Sequence, residues 1–306
     1  MVNPTSIVYY FLAVALSPLL LGIITRVKAF FAGRQGQPVL QYYFDILKLF
    51  GKGAVFSTTT TWILRASGVI VFSALLAAML FVPFGRRPAV LSFPGDAVLV
   101  IYLLGLARFF TVLAALDTGS SFEGMGASRE VQFAVFAEPA LFVGLAALIH
   151  LTQSLSLSGM YARISVESWS AAAPVLLLVA GTFLIVALAE NSRIPVDDPA
   201  THLELTMVHE VMVLDHGGVD LGLMLYASAL KFWLFGFLLA GLIVPARTAV
   251  ESPHLDAIFF CGAMFVFAVL VGIIESIMAR LRLVRIPAFL IAALSLSVLA
   301  LVVQMR

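Results

Sequence analysis

Long apolar stretches recur along the chain and alternate with polar segments. Eight of them approach or exceed the roughly 20 mostly apolar residues that a helix needs to cross a bilayer. No internal repeat divides the chain, and no linker is long enough to separate two domains. The pattern predicts one all-α transmembrane domain over residues 1–306, with spans near residues 5–27, 62–84, 97–116, 131–150, 172–190, 221–244, 256–279 and 286–305.

Two further segments show a helical period of apolar residues instead of a continuous apolar run. Residues 39–50 place apolar side chains on one face of a helix, with Asp45 and Lys48 on the other. Residues 199–216 show a similar pattern and begin with Pro199, a residue favoured at the first helical position. We expect both segments to be amphipathic helices that lie in the membrane interface.

The composition supports lipid as the solvent of this protein. Of its 306 residues, 62% are hydrophobic and 11% are charged, whereas soluble domains carry about 25% charged residues. The net charge is +1 and the basic residues are dispersed, so the sequence predicts no nucleic-acid partner. Cys261 is the single cysteine, which excludes disulfides and cysteine-ligated iron–sulfur or zinc sites within the chain.

The loop lysines and arginines predict the orientation, because cytoplasmic loops are enriched in them. The more basic face receives Arg26, Lys28, Arg34, Lys48, Lys52, Arg65, Arg129, Arg193, Arg280, Arg282 and Arg285. The other face receives Arg86, Arg87, Arg163, Arg247 and Arg306. We therefore expect a multi-pass protein of the inner (plasma) membrane, with the long loops cytoplasmic and both termini periplasmic.

Four ionisable side chains lie inside predicted spans, where their energetic cost suggests a function. The helical rise places Arg108 roughly 12 Å and Glu138 roughly 10 Å from the inner ends of adjacent spans, so the two can meet. Lys231 lies roughly 15 Å deep. Glu275 lies about one turn from the inner face, and Glu190 ends the fifth span on the same side.

Two interpretations of these charges remain open. As a functional set, they form a ladder from the inner face to mid-membrane that carries protons, or relays charge from a protein docked on that face. As a structural element, Arg108 and Glu138 form a buried pair that holds two helices together. The charged loop after the fifth span also contains His202 and His209, but Val213 stands where a zincin motif needs its second histidine, so we predict no metal site.

Four motifs resemble one protein family over the whole chain. They are Leu116–Glu130 (LDTGSSFEGMGASRE), Gly33–Leu49 with its Gly-Arg-Gln-Gly start, Ala189–Asp197 (AENSRIPVD) and Glu275–Arg282 (ESIMARLR). These stretches resemble the membrane subunit of formate hydrogenlyase and related energy-converting (group 4) nickel–iron hydrogenases. That subunit is homologous to subunit 1, the H subunit, of respiratory complex I.

The resemblance implies a subunit that joins a peripheral electron-transfer arm to antiporter-like membrane subunits, and that couples electron transfer to proton or sodium translocation. Together with the ladder of charges, it implies a relay through Glu138, Arg108, Glu190, Glu204, Glu210, Lys231 and Glu275. We expect docking of the peripheral arm at Arg34, Asp117, Arg129, Glu130, Arg193, Asp197, Asp198, Arg280 and Arg282.

The same resemblance implies partners that carry the redox chemistry: nickel–iron hydrogenase-like large and small subunits and an iron–sulfur subunit. The chain itself is expected to hold no cofactor. A second hypothesis is the quinone-site subunit of a complex I-like NADH:quinone oxidoreductase. Quinone-reducing members show Arg-x-Gly-Pro in the first loop, whereas this chain has Arg34-Gln35-Gly36-Gln37-Pro38, which argues against a quinone site. Two further hypotheses are a standalone ion transporter and a scaffold whose charges only anchor subunits.

Overall fold

The computed structural model describes residues 4–85, 87–197, 207–244 and 253–305. These parts of the chain form ten α-helices and no β-strand. The helices are α1 (Pro4–Phe31), α2 (Gln41–Phe50), α3 (Trp62–Met79), α4 (Asp96–Asp117), α5 (Ser121–Thr152), α6 (Leu157–Arg163), α7 (Val166–Glu190), α8 (Gly218–Ile243), α9 (Pro253–Ile277) and α10 (Ile286–Gln304).

Eight of the described helices are long and apolar enough to cross a membrane. They are α1, α3, α4, α5, α7, α8, α9 and α10, with the last apolar segment counted from Leu283. This architecture confirms the predicted all-α membrane fold with about eight spans.

The fifth helix starts ten residues before the predicted span near 131–150. Ser121–Glu130, which we expected as a loop, is the N-terminal part of this helix. Glu123 in the first turn is favourable there, because an acidic side chain complements the positive end of the helix dipole. Glu130 is consequently helical, and its side chain points into the helix bundle.

The eighth helix forms the centre of the bundle. It packs against α1, α2, α3, α7 and α9, and its aromatic residues, such as Phe232 and Trp233, are among the largest fully buried side chains. Gly236 allows this packing, because a Cβ there would lie 2.8 Å from the Met264 side chain and 3.0 Å from that of Phe267. Most of α8 is therefore buried inside the bundle, which suits an apolar helix that carries Lys231.

Helix α2 packs against α1 and α8. Its contact with α8 is close at Gly222, where a Cβ would lie 2.9 Å from the Phe50 ring. Phe44 and Leu47 remain exposed on its other face. Helix α2 lies at the predicted position of the first amphipathic helix.

The second predicted amphipathic helix, near 199–216, is wrong over its described part. Residues 207–216 contain a single 3₁₀ turn, Glu210–Val213, and residues 198–206 lie outside the described chain. The Asp197 carboxylate accepts a hydrogen bond from the Val208 backbone N–H at 2.9 Å, and Arg129 donates to the Met207 carbonyl at 2.9 Å. These bonds to backbone groups hold the segment in a folded loop, which apolar periodicity does not reveal.

Candidate functional site: a charged cluster beside an internal cavity

Arg108 joins three carboxylates from two neighbouring helices. Its guanidinium donates hydrogen bonds to Glu138 of α5 and to Glu190 at the end of α7. Its Nε also lies 3.4 Å from Oε1 of Glu130, which precedes Glu138 on α5. The Arg108 side chain is only 9% exposed, so a single buried cation interacts with all three acids.

Lys231 of α8 extends this cluster toward the centre of the bundle. Its Nζ lies 2.9 Å from Glu190 Oε2, whereas Arg108 bonds to the other oxygen of that carboxylate. With every group ionised, two cations face three carboxylates, which leaves a net charge of −1. A cluster of this balance is suited to hold or release one proton.

A second ionic group lies beside the first, around Glu275 of α9. Its buried carboxylate lies 2.8 Å from Lys28 Nζ of α1 and 3.4 Å from Arg193 Nη1. The Arg193 guanidinium also stacks over the Phe232 ring, 5.6 Å from its centroid. The loop after α7 is thereby held against α8 and α9, and Glu275 also joins α9 to α1.

A cavity of about 360 Å³ is lined by residues of the first group and by Arg193 of the second. Its polar wall includes Arg108, Glu130, Glu190, Lys231, Arg193, Asp197, His209, Glu210 and His216. Its apolar wall includes Leu21, Val71, Leu75, Leu104, Leu221 and Met224. The cavity therefore places most of the buried charges on a common surface.

His209 is a titratable group of the cavity wall outside the spans. Burial lowers the pKa of its imidazole, because an apolar environment disfavours the charged form, while Glu130 acts in the opposite direction. Among the residues that the structure describes, no three histidine, cysteine or acidic side chains converge in a way that could hold a metal ion.

The structure brings together four of the seven residues predicted for the charge relay: Arg108, Glu138, Glu190 and Lys231. Glu275 lies in the neighbouring ionic group and Glu210 lines the cavity. Glu204 lies outside the described residues. The relay role of these side chains stays a prediction.

The residues predicted for docking are less uniform. Arg34 and Arg282 are exposed, and Asp198 lies outside the described chain. Contacts within the chain engage the rest: Asp117 with Thr61, Arg129 with Met207, Glu130 with Arg108, Arg193 with Glu275, and Arg280 with Asp197 at 2.7 Å. Their docking role also stays a prediction.

The sequence did not predict Lys28 as the partner of Glu275, because Lys28 was considered only among the basic loop residues that indicate orientation. It also missed the buried pair His216–Asp220 at the start of α8. Their spacing of four residues was an incomplete signal, because His216 precedes α8 and is not itself helical.

Comparisons with known proteins agree with the fold and the motifs. The family model described as NADH dehydrogenase matches residues 5–305. Formate hydrogenlyase subunit 4 of Escherichia coli K12 is 31% identical over 293 residues, which cover 94% of each chain. Hydrogenase-4 component C of the same organism is 30% identical over 290 residues, covering 93% of this chain and 90% of that protein.

A solved structure shows the same fold. It is a chain of the membrane-bound sulfane sulfur reductase, an archaeal respiratory membrane complex. The two chains superpose with a TM-score of 0.84 over 98% of each, at 19% sequence identity.

Proposed function

The chain belongs to the NADH dehydrogenase family, and we propose that it is the membrane-anchoring and coupling subunit of a hydrogenase-type respiratory complex. Its relatives of 31% and 30% identity are named as a formate hydrogenlyase subunit and a hydrogenase component. In this role the chain links electron transfer in a peripheral arm to proton or sodium translocation in antiporter-like subunits.

The observation that carries the proposal is the sharing of Arg108 among Glu130, Glu138 and Glu190. Because these acids have a common counter-charge, protonation of one releases Arg108 to interact more strongly with the others. Such coupling is large for charges removed from water. A change in charge at Glu190, near the inner face, is thereby felt at Glu138 within the membrane.

The mechanism that we propose is electrostatic. A redox or protonation change in a docked partner alters the charge of the inner loop and of the cavity wall, to which Glu210 contributes directly and Glu275 through Arg193. In response, one of the two ion pairs of Glu190, with Lys231 or with Arg108, becomes stronger while the other becomes weaker. Arg108 then transmits the change to Glu138, whose side chain is 41% exposed at the bundle surface. At Glu138, this change in charge acts on an adjacent membrane subunit.

The proposal includes the partners and the orientation. The peripheral partners are nickel–iron hydrogenase-like large and small subunits and an iron–sulfur subunit, which carry the redox centres. The membrane partners are antiporter-like subunits. The long loops face the cytoplasm, because they carry most of the loop arginines and lysines.

Substitution Glu138→Gln tests the coupling role. It keeps the size of the side chain but prevents ionisation, so we expect proton uptake by inverted membrane vesicles to be abolished while the complex still assembles. Turnover with reduced methyl viologen as electron donor, and a fluorescent pH probe, are measured on the same vesicles. Glu167→Gln, at an exposed glutamate in the first turn of α7, is the matched control. If the ratio of proton uptake to turnover in the Glu138→Gln variant equals that of the wild type, the coupling role of Glu138 is refuted.

A quinone-site subunit is the second candidate function, and the cavity favours it. About 360 Å³ with one apolar and one charged wall has the size and character of a small-molecule site. This function predicts quinone-dependent turnover of the purified complex and inhibition by quinone-site blockers. Turnover that is independent of added quinone and resistant to such blockers would refute the quinone-site function.

A further inference from the structure

A third buried ionic group lies at the junction of α3, α5 and α8. His216 Nδ1 is hydrogen-bonded to Asp220 Oδ2, four residues later in the first turn of α8, and the two side chains are 1% and 7% exposed. The pair requires a glycine opposite it. A Cβ at Gly68 of α3 would lie 1.9 Å from Asp220 Oδ1.

The remaining polar atoms of this pair are buried without a hydrogen bond to any described residue. They are His216 Nε2 and Asp220 Oδ1. A buried polar atom that lacks a partner costs about 1–3 kcal/mol, so native structures retain such atoms mainly where they bind water or act chemically. With Asp220 ionised, the hydrogen bond places a proton on Nδ1 and leaves Nε2 as a proton acceptor.

The imidazole faces two different environments. His216 lines the cavity that contains Glu190 and Lys231. The buried Glu123, in the first turn of α5, interacts electrostatically with His216. The Glu123 carboxylate accepts a hydrogen bond at 3.0 Å from the backbone N–H of Asp215, an exposed residue of the inner loop.

We propose that His216, held by Asp220, is a proton carrier between the buried Glu123, which is bonded to the exposed Asp215 of the inner loop, and the cavity. A proton from the inner-surface side binds Nε2 and gives an imidazolium, whose charge Asp220 balances. The same Nε2 proton then passes to water in the cavity, and the neutral ring is restored. The charged groups around the ring are Asp220 of α8, Glu123 of α5 and Asp215 of its own loop, while α3 contributes only Gly68 at this contact. The inference rests on the proposed coupling function and adds the route by which protons reach it.

Substitution His216→Gln tests the inference in inverted vesicles that contain the whole complex. We expect proton uptake to fall by roughly 100-fold, the lower range for loss of a positioned acid–base group. Substitution His216→Ala with added imidazole supplies the readout that a structural role would not move, because free imidazole in the vacated space restores proton transfer. His150→Gln is the control, since His150 is exposed at the end of α5.

Asp220→Asn keeps the shape of the pair but removes the charge that balances the imidazolium. We expect its proton uptake to require a lower pH than that of the wild type. Wild-type uptake across the pH range in both His216→Gln and Asp220→Asn would overturn the inference. Failure of both variants to assemble would also overturn it, by assigning the pair a structural role.

The two proposals fail separately. Loss of coupling in Glu138→Gln together with wild-type proton uptake in His216→Gln would refute only the proton route through His216. Unchanged uptake in Glu138→Gln refutes the coupling role itself, whatever the His216 variants show.

Discussion

Carboxylates serve two different purposes in this protein, and their partners distinguish them. Asp96 and Asp117 lie at helix ends and accept hydrogen bonds from backbone N–H and hydroxyl groups. Asp96 bonds to Leu157 N–H and Ser156 Oγ, both at 2.7 Å, and Asp117 bonds to Thr61 N–H at 2.8 Å. Glu138 and Glu190, in contrast, pair with the ionisable side chain of Arg108.

The difference in partners separates structure from coupling. A backbone N–H keeps its proton and its position, so a carboxylate bonded to it ties two chain segments together and responds to no other charge. A carboxylate paired with a shared cation changes the environment of every other acid on that cation. Burial alone does not make the distinction, because Asp96 is fully buried and Glu138 is partly exposed.

Removal of Arg108 is expected to have the largest effect. Arg108→Gln leaves Glu130, Glu138 and Glu190 without their common counter-charge. Breaking a buried ion pair from one side costs about 3–5 kcal/mol, so we expect a large loss in thermal stability of the purified complex and no coupled proton uptake. Arg285→Gln, at an exposed arginine, is the control. A variant with wild-type stability would show that the three acids are neutral in the folded protein.

Removal of the charge at Asp96 should destabilise the protein without uncoupling it. Asp96→Asn weakens charge-assisted bonds to the start of α6, and hydrogen bonds to charged groups contribute about 1.5–3 kcal/mol. We expect a lower melting temperature and an unchanged ratio of proton uptake to turnover. Asp45→Asn on the exposed face of α2 is the control. A changed ratio of proton uptake to turnover would show that Asp96 takes part in coupling, which would contradict the distinction between structural and coupling carboxylates.

The smallest expected effect concerns pH and His209. Burial holds the pKa of its imidazole below the ordinary 6.5, so the unfolded chain binds a proton that the folded chain does not. The stability that this difference contributes is present above pH 6.5 and is lost as the pH falls below it. We expect His209→Gln to flatten the decline in melting temperature toward acidic pH, and His150→Gln to leave it unchanged. An equal decline in wild type and His209→Gln would contradict the lowered pKa.

Sequence reasoning reached part of the candidate site and missed the rest for a clear reason. Arg108 and Glu138 were predictable as neighbours, because helical rise gives depth and consecutive spans are adjacent. Glu130 was assigned to a docking loop because the apolar run begins only near residue 131. Ser120 and Glu123, spaced as in a capping box, were the available signal that α5 begins as early as Ser121. Lys28 and Glu275 are far apart in sequence, and their contact depends on the packing of α1 against α9.

The sequence by itself determined the solvent, the eight spans, the interfacial helix and the family of this protein. These properties are local, since the transfer of an apolar stretch into lipid depends on its own composition and length. Only the tertiary structure decided which charges share a partner and that several of them line a common cavity. It also decided that the described part of the loop after α7 is held by Asp197 instead of forming an α-helix. Those properties depend on the distances between helices that the sequence separates.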